Sequence, residues 1–137
     1  MTNFLMPSGG ESVTFDVPPI LRGVPYQFNL PFLPQVAEAM AGWESARIRV
    51  QFRRGAGKPI LAAIDTASAA ESASLSAIDD GPYAGGVMLE IRLSGEQTDA
   101  MTISQVEFDV LLSIGGADRH LPGRWIWPVA DAITVPT

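Results

Sequence analysis

Residues 114–127 place the chain's single histidine, His120, close to Asp118, Arg119 and Arg124, and next to Trp125 and Trp127. An imidazole beside a carboxylate is part of a hydrolytic triad, whose chemistry also needs a serine hydroxyl on the imidazole and a water-poor cleft around the group. Adjacency in the chain supplies neither. Residues 108–114 alternate like a strand, Gly-Gly-Ala-Asp follows, and the apolar Trp125 and Trp127 come next, which is the pattern of an antiparallel hairpin with a polar tip. This places the turn over residues 117–123 with His120 exposed on it, and no catalytic residue is assigned.

Three other groupings carry potential chemistry. Asp79 and Asp80 are the only adjacent carboxylates, a pairing that serves acid–base work or calcium binding. They lack the spaced oxygen ligands and closing glutamate of an EF-hand loop, and Asp-Asp-Gly-Pro is ordinary turn chemistry. No metal site is assigned, with calcium at Asp79 and Asp80 left as an open alternative. The run Arg53-Arg-Gly-Ala-Gly-Lys58 resembles a phosphate loop, but its lysine is followed by Pro59 and a strand pattern rather than by Ser or Thr and a helix. A hairpin turn accounts for it better. Trp125 and Trp127 share a face by period 2, and burial in the core is favoured over an exposed platform for a sugar or protein partner.

The elements that must hold these residues are strands. Ala46, Ile48, Val50 and Phe52 fall on one face of residues 46–53, and Arg47, Arg49, Gln51 and Arg53 on the other. The same period runs through residues 87–93 and 108–114. Weaker versions occupy residues 13–17, 26–30, 59–64, 73–77, 124–127 and 132–135, about eight or nine short strands punctuated by turns, as in a sandwich. Pro31 and Pro34 mark the end of an edge strand, because proline cannot donate to a ladder. Residues 35–41 are expected to form a short helix ending at Gly42, and residues 94–101 a single helical turn with Ser94 or Thr98 as cap. An exposed connection is expected over residues 65–74.

Composition narrows the function classes. A chain of 137 residues fits one domain with its own core, and 11 prolines with 13 glycines favour turns over long helices. The absence of cysteine excludes disulfides, thiolate zinc sites and cysteine nucleophiles. A net charge of −6 argues against a nucleic-acid partner, which needs surplus cations; Arg47, Arg49, Arg53, Arg54 and Lys58 make the best local basic patch. Outward arginines on one strand are read as a solvated or partner-facing surface. Residues 1–7 lack the basic and apolar regions of a signal peptide, and no apolar run approaches the roughly 20 residues of a membrane span. The expected location is the cytoplasm, or something assembled there.

The order of these features resembles a known group. Thr14-Phe15 and residues 21–30 precede Gly42-Trp-Glu-Ser-Ala and the alternating arginine strand; residues 87–93 run into Ser94-Gly-Glu-Gln-Thr-Asp-Ala-Met101; Val106-Glu-Phe-Asp-Val110 follows, then Leu121-Pro-Gly-Arg-Trp and Ile133-Thr-Val135. This is similar to the small immunoglobulin-like β-sandwich of tailed-bacteriophage virion proteins, including the amino-terminal domain of baseplate upper proteins. The likeness spans the chain from about Ser12. Two departures stand out: the family domain is often fused to a fibre or receptor-binding part, which these 137 residues do not include, and the insertion over residues 31–40 is long.

The resemblance implies an all-β, immunoglobulin-like antiparallel sandwich over residues 12–137, preceded by a flexible arm over residues 1–11. It also implies a structural virion protein of the tail, baseplate, neck or fibre adaptor. Such a protein is assembled in the bacterial cytoplasm, docks on other virion subunits and on copies of itself, and has no catalysis, cofactor, nucleic acid or membrane. The arm carries Phe4, Leu5 and Met6 ahead of Ser-Gly-Gly, which suits an apolar hook ordered on a neighbour. Candidate protein-interface residues are therefore Phe4, Leu5, Met6, Arg47, Arg49, Arg53, Arg119 and His120. The alternatives are a capsid-decorating protein, a carbohydrate- or receptor-binding module using Trp43, Trp125 or Trp127, and a hydrolase built on His120.

Overall fold

Strict alternation in the sequence becomes strand wherever a partner is available to bury the apolar face. The computed structural model describes residues 18–132. In chain order the strands are β1 (Ile20–Arg22), β2 (Tyr26–Phe32), β3 (Arg47–Arg53), β4 (Ile60–Asp65), β5 (Ala73–Ala77), β6 (Val87–Leu93), β7 (Gln105–Ile114), β8 (Ala117–His120) and β9 (Trp125–Asp131). Two short helices, α1 (Pro34–Ala39) and α2 (Gly95–Asp99), lie between them. The expected strand over residues 13–17 and the end of the closing one lie outside the described residues.

One sheet runs β1-β9-β7-β3-β4 and the other β2-β6-β5. β8 pairs with Leu111 to Ile114 of β7 while β9 pairs with Gln105 to Phe108 of the same strand. Between them Leu121 N–H still donates to Val110 O at 2.9 Å. β8 and β9 are thus one return strand interrupted near Pro122 and Gly123. Read this way, β2-β6-β5 and β9-β7-β3 take the places of the B-E-D and G-F-C strands of an immunoglobulin-like sandwich, with β4 as the extra strand of the variable type. The expected all-β sandwich is the observed one. Its pairing is not wholly antiparallel: β1, which sequence periodicity does not reveal, lies parallel to β9, with Ile20 opposite Val129.

The core sits between the sheets and is aromatic. Immunoglobulin domains of antibodies tie strands B and F with a disulfide and pack a strand-C tryptophan on it. Here the corresponding strands contribute Phe28, Phe108 and Phe52, with ring centroids 5.1 Å (Phe28–Phe108), 5.9 Å (Phe28–Phe52) and 4.8 Å (Phe52–Phe108) apart. Dispersion and area burial thus replace a covalent link in a chain with no cysteine. Trp125 and Trp127 are 0% and 3% exposed, so they are core side chains and not a sugar platform. The indole N–H of Trp127 donates to Tyr26 Oη at 3.0 Å and to Pro18 O at 3.2 Å, which satisfies its one polar atom. Burial raises the Tyr26 phenol above its ordinary pKa, although the Trp127 hydrogen bond opposes the shift.

The connections follow local chemistry. Ser94 caps α2: its hydroxyl accepts from Gln97 N–H at 3.1 Å, and the Gln97 side chain accepts from Ser94 N–H at 2.8 Å, a complete capping box. Thr98, the other expected cap, is instead fully buried, donating to Val24 O at 3.0 Å. The expected helix over 35–41 forms as α1, one residue after β2 and two shorter at its end. Part of the expected exposed connection is ordered as a 3-10 turn, Ala70–Ser72, leading directly into β5.

Candidate functional site

The cluster around His120 is laid out by its turn. Gly115 and Gly116 have φ of 59° and 84°, and Ile114 faces Ala117 across them, a two-residue hairpin that only residues tolerant of positive φ close easily. The expected turn over residues 117–123 is therefore corrected: residues 117–120 form β8, on which all four side chains are exposed. Strand pairing sets Asp118 opposite Ser113 and His120 opposite Leu111. Ser113 Oγ donates to Asp118 at 2.6 Å, and Arg49 donates to the same carboxylate oxygen at 2.9 Å. The Ser113 hydroxyl first, then the Arg49 charge, holds Asp118 below the usual carboxylate range. His120 Nδ1 lies 3.5 Å from Asp109 instead, and both side chains are more than half exposed. The serine thus bonds to a carboxylate that the histidine does not touch, and triad order is not assembled. What the cluster forms is a solvated ion-pair network at a concavity of about 420 Å³, bordered by Arg53, Glu107 and Arg124.

The arginine face meets its counter-charges within the chain. Arg47 holds Asp65 through two hydrogen bonds of 2.8 and 2.5 Å. That guanidinium, helped by Ala67 N–H, draws the Asp65 carboxyl down to about 2. Arg49 serves Asp118, and Arg53 donates to Gln51 Oε1 at 2.6 Å and to Lys58 O. Arg119 reaches Ala39 O at 3.2 Å, and Arg124 lies 3.8 Å from Glu107. Of the expected interface set, Arg47, Arg49, Arg53 and His120 thus share the outer face of the larger sheet, Arg119, opposite Leu112, points from β8 to the other face toward the end of α1, and Phe4, Leu5 and Met6 lie outside the described residues. Asp79 and Asp80 are exposed in a turn, and among the described residues no group of three or more His, Asp or Glu side chains gathers as a metal site would.

A different feature, absent from the sequence reading, lies on the outer face of the smaller sheet. Pro31 pairs with Met88, and Asn29 with Glu90, so these side chains form two outward rows. Beyond them the β5–β6 loop folds over the end of the sheet. It is closed by Ile78 N–H to Gly86 O at 3.0 Å, Gly85 N–H to Ile78 O at 2.9 Å and Gly86 N–H to Tyr83 O at 2.8 Å. Gly86 is packed so tightly that a Cβ there would stand 1.9 Å from Phe32 O. The loop therefore makes a fixed wall. Between wall and sheet lies a groove of about 700 Å³ with Pro31, Ile78, Pro82, Tyr83 and Met88 as its apolar surface, and Asp80 and Glu90 at its rim. Leu33, 39% exposed, follows directly at the end of β2. The sequence signal for this wall was the run Gly81-Pro-Tyr-Ala-Gly-Gly86, whose density of turn residues exceeds what a simple hairpin needs.

No helix among the described residues is long and apolar enough to cross a membrane. No protein-family model, curated protein or solved structure matches this chain.

Proposed function

We propose that this chain is a non-enzymatic assembly module, a structural subunit of a tailed-phage virion that docks on other virion proteins at the tail, baseplate, neck or fibre adaptor. The observation that carries the reading is the groove beside Tyr83. It is preformed, apolar and walled by a loop held through backbone hydrogen bonds, and such a surface lowers the ordering cost of protein association. The virion setting rests on the order of strands and turns that resembles phage sandwiches. Against the hydrolase alternative stands the separation of Ser113 from His120, since the hydroxyl is committed to Asp118. Against the sugar-binding alternative stands the burial of Trp125 and Trp127, which leaves only the half-buried Trp43.

The test is mass spectrometry of purified particles followed by a particle reconstruction. The expected result is this chain at a fixed ratio to the major virion proteins, with its smaller sheet against a neighbour. Its absence from particles in which all other virion proteins are detected overturns the proposal.

A further inference from the structure

The groove has a defined chemistry: an apolar floor, carboxylates beside it and no cation among the residues that line it. Glu90 is already engaged by Gln27 at 2.9 Å and stands 3.6 Å from Arg92, whereas Asp79 and Asp80 are exposed with no partner among the described residues. An occupant that satisfies this site presents an aliphatic side chain flanked by positive charge.

Such a segment exists on the chain itself. Two large hydrophobic side chains are exposed among the described residues: Leu33, beside the groove, and Ile60 at 45%, on the β3–β4 hairpin. Ile60 follows Arg54 and Lys58, whose side-chain charges have no partner among the described residues, although Arg22, Arg47, Arg49, Arg53, Arg92, Arg119 and Arg124 all do. The unspent cations and the unspent aliphatic surface therefore sit together.

Topology keeps groove and hairpin apart within one molecule. β2 ends at Phe32, opposite the start of β6, and the chain enters β3 from that same end of the sandwich. β3 then runs to the far end, where Arg53 pairs with Glu107 and the hairpin turns. The two surfaces lie at opposite ends and on different sheets, so one copy cannot satisfy itself. We propose that the groove receives the β3–β4 hairpin tip of a second copy, Ile60 entering between Tyr83 and Met88 while Arg54 and Lys58 meet Asp79 and Asp80. A contact between unlike surfaces propagates head to tail, closing as a ring where the rotation permits and otherwise extending as a filament. Either product suits the assembly reading, but the contact itself depends only on the two surfaces.

Sedimentation velocity on the purified full chain tests this. The expected behaviour is concentration-dependent association that weakens but persists at high salt, since the charges are screened and the apolar contact is not. Ile60→Asp raises the dissociation constant by about thirtyfold, the loss typical of a central anchor. Asp80→Lys and Lys58→Glu each weaken association, and the double variant Asp80→Lys, Lys58→Glu recovers it. Mixing Ile60→Asp with Asp80→Lys leaves one intact groove and one intact hairpin, so the mixture stops at a one-to-one dimer. Circular dichroism confirms that each variant folds, as expected for exposed positions. A chain monomeric at every accessible concentration overturns the proposal, as does association indifferent to both Ile60→Asp and Asp80→Lys. Self-association of a chain that is absent from particles sinks the virion reading while leaving this contact standing.

Discussion

Gly86→Ala is the most informative single change in the smaller sheet. The added Cβ would lie 1.9 Å from the Phe32 carbonyl oxygen, where real contacts do not come under 3.0 Å, so loop and strand must part by about 1 Å. Neither neighbour can yield locally, because the clash is with backbone. Parting them disturbs the three loop hydrogen bonds that run between Ile78, Tyr83, Gly85 and Gly86. At a net worth of roughly 1 kcal/mol each, the loss of two or three amounts to about 2–3 kcal/mol. For a domain of this size that lowers Tm by about 10 °C. Guanidinium denaturation followed by far-ultraviolet circular dichroism and tryptophan emission measures it, with an unchanged m-value showing that the compactness of both states is retained. Gly55→Ala is the matched control: its nearest atom is 3.9 Å away, and the change should cost nothing and stabilise by up to about 1 kcal/mol. If Gly86→Ala costs no more than that control, the loop is not held by close packing and the fixed wall of the groove is refuted.

Two further outcomes follow from the core and from the charged face. Phe108→Ala removes the ring that touches Phe28, Phe52, Trp125 and Trp127, and should cost about 3–5 kcal/mol in urea denaturation; a loss under about 2 kcal/mol would show that the core collapses around the gap. Asp65 has its pKa depressed to about 2 by Arg47, so its contribution is complete above the unfolded value near 4 and disappears as pH falls toward 2. Denaturation midpoints of wild type and Asp65→Asn should differ at pH 6 and converge by pH 2, with a small gap because the pair is solvent-screened; parallel curves across that range would contradict the assignment.

What the sequence disclosed was whatever repeats locally. β3 was legible because Ile48, Val50 and Phe52 alternate with polar residues against two partner strands. Trp125 and Trp127 were placed in the core by the same period. β1 stayed hidden because three residues between Pro18-Pro19 and Gly23 carry no period, and their strand character comes from β9, more than a hundred residues away. β8 reads as a turn in the sequence because its side chains are all exposed, so no apolar rhythm betrays it, while the true turn lies in Gly115-Gly116. The arginine face was legible as a face; its partners Asp65 and Asp118 were not, being brought to it by register rather than by sequence spacing. The groove escaped for the same reason, since Pro31, Tyr83 and Met88 meet only after β2 and β6 pair.

The parallel pairing of β1 with β9 has a mechanical consequence. Among the described residues β1 is the first strand and β9 the last, and these strands lie side by side pointing the same way. Tension applied at residues 18 and 132 therefore pulls along the strand axes, in opposite directions, and must slide one strand past the other. In that geometry the ladder bonds and the Arg22 contacts to Asp131, Met101 and Ile103 carry the force together rather than one after another. A hairpin pulled from its open end would unzip bond by bond at far lower force. A subunit tethered at both ends to neighbours that move would thus resist extension first at its shortest strand.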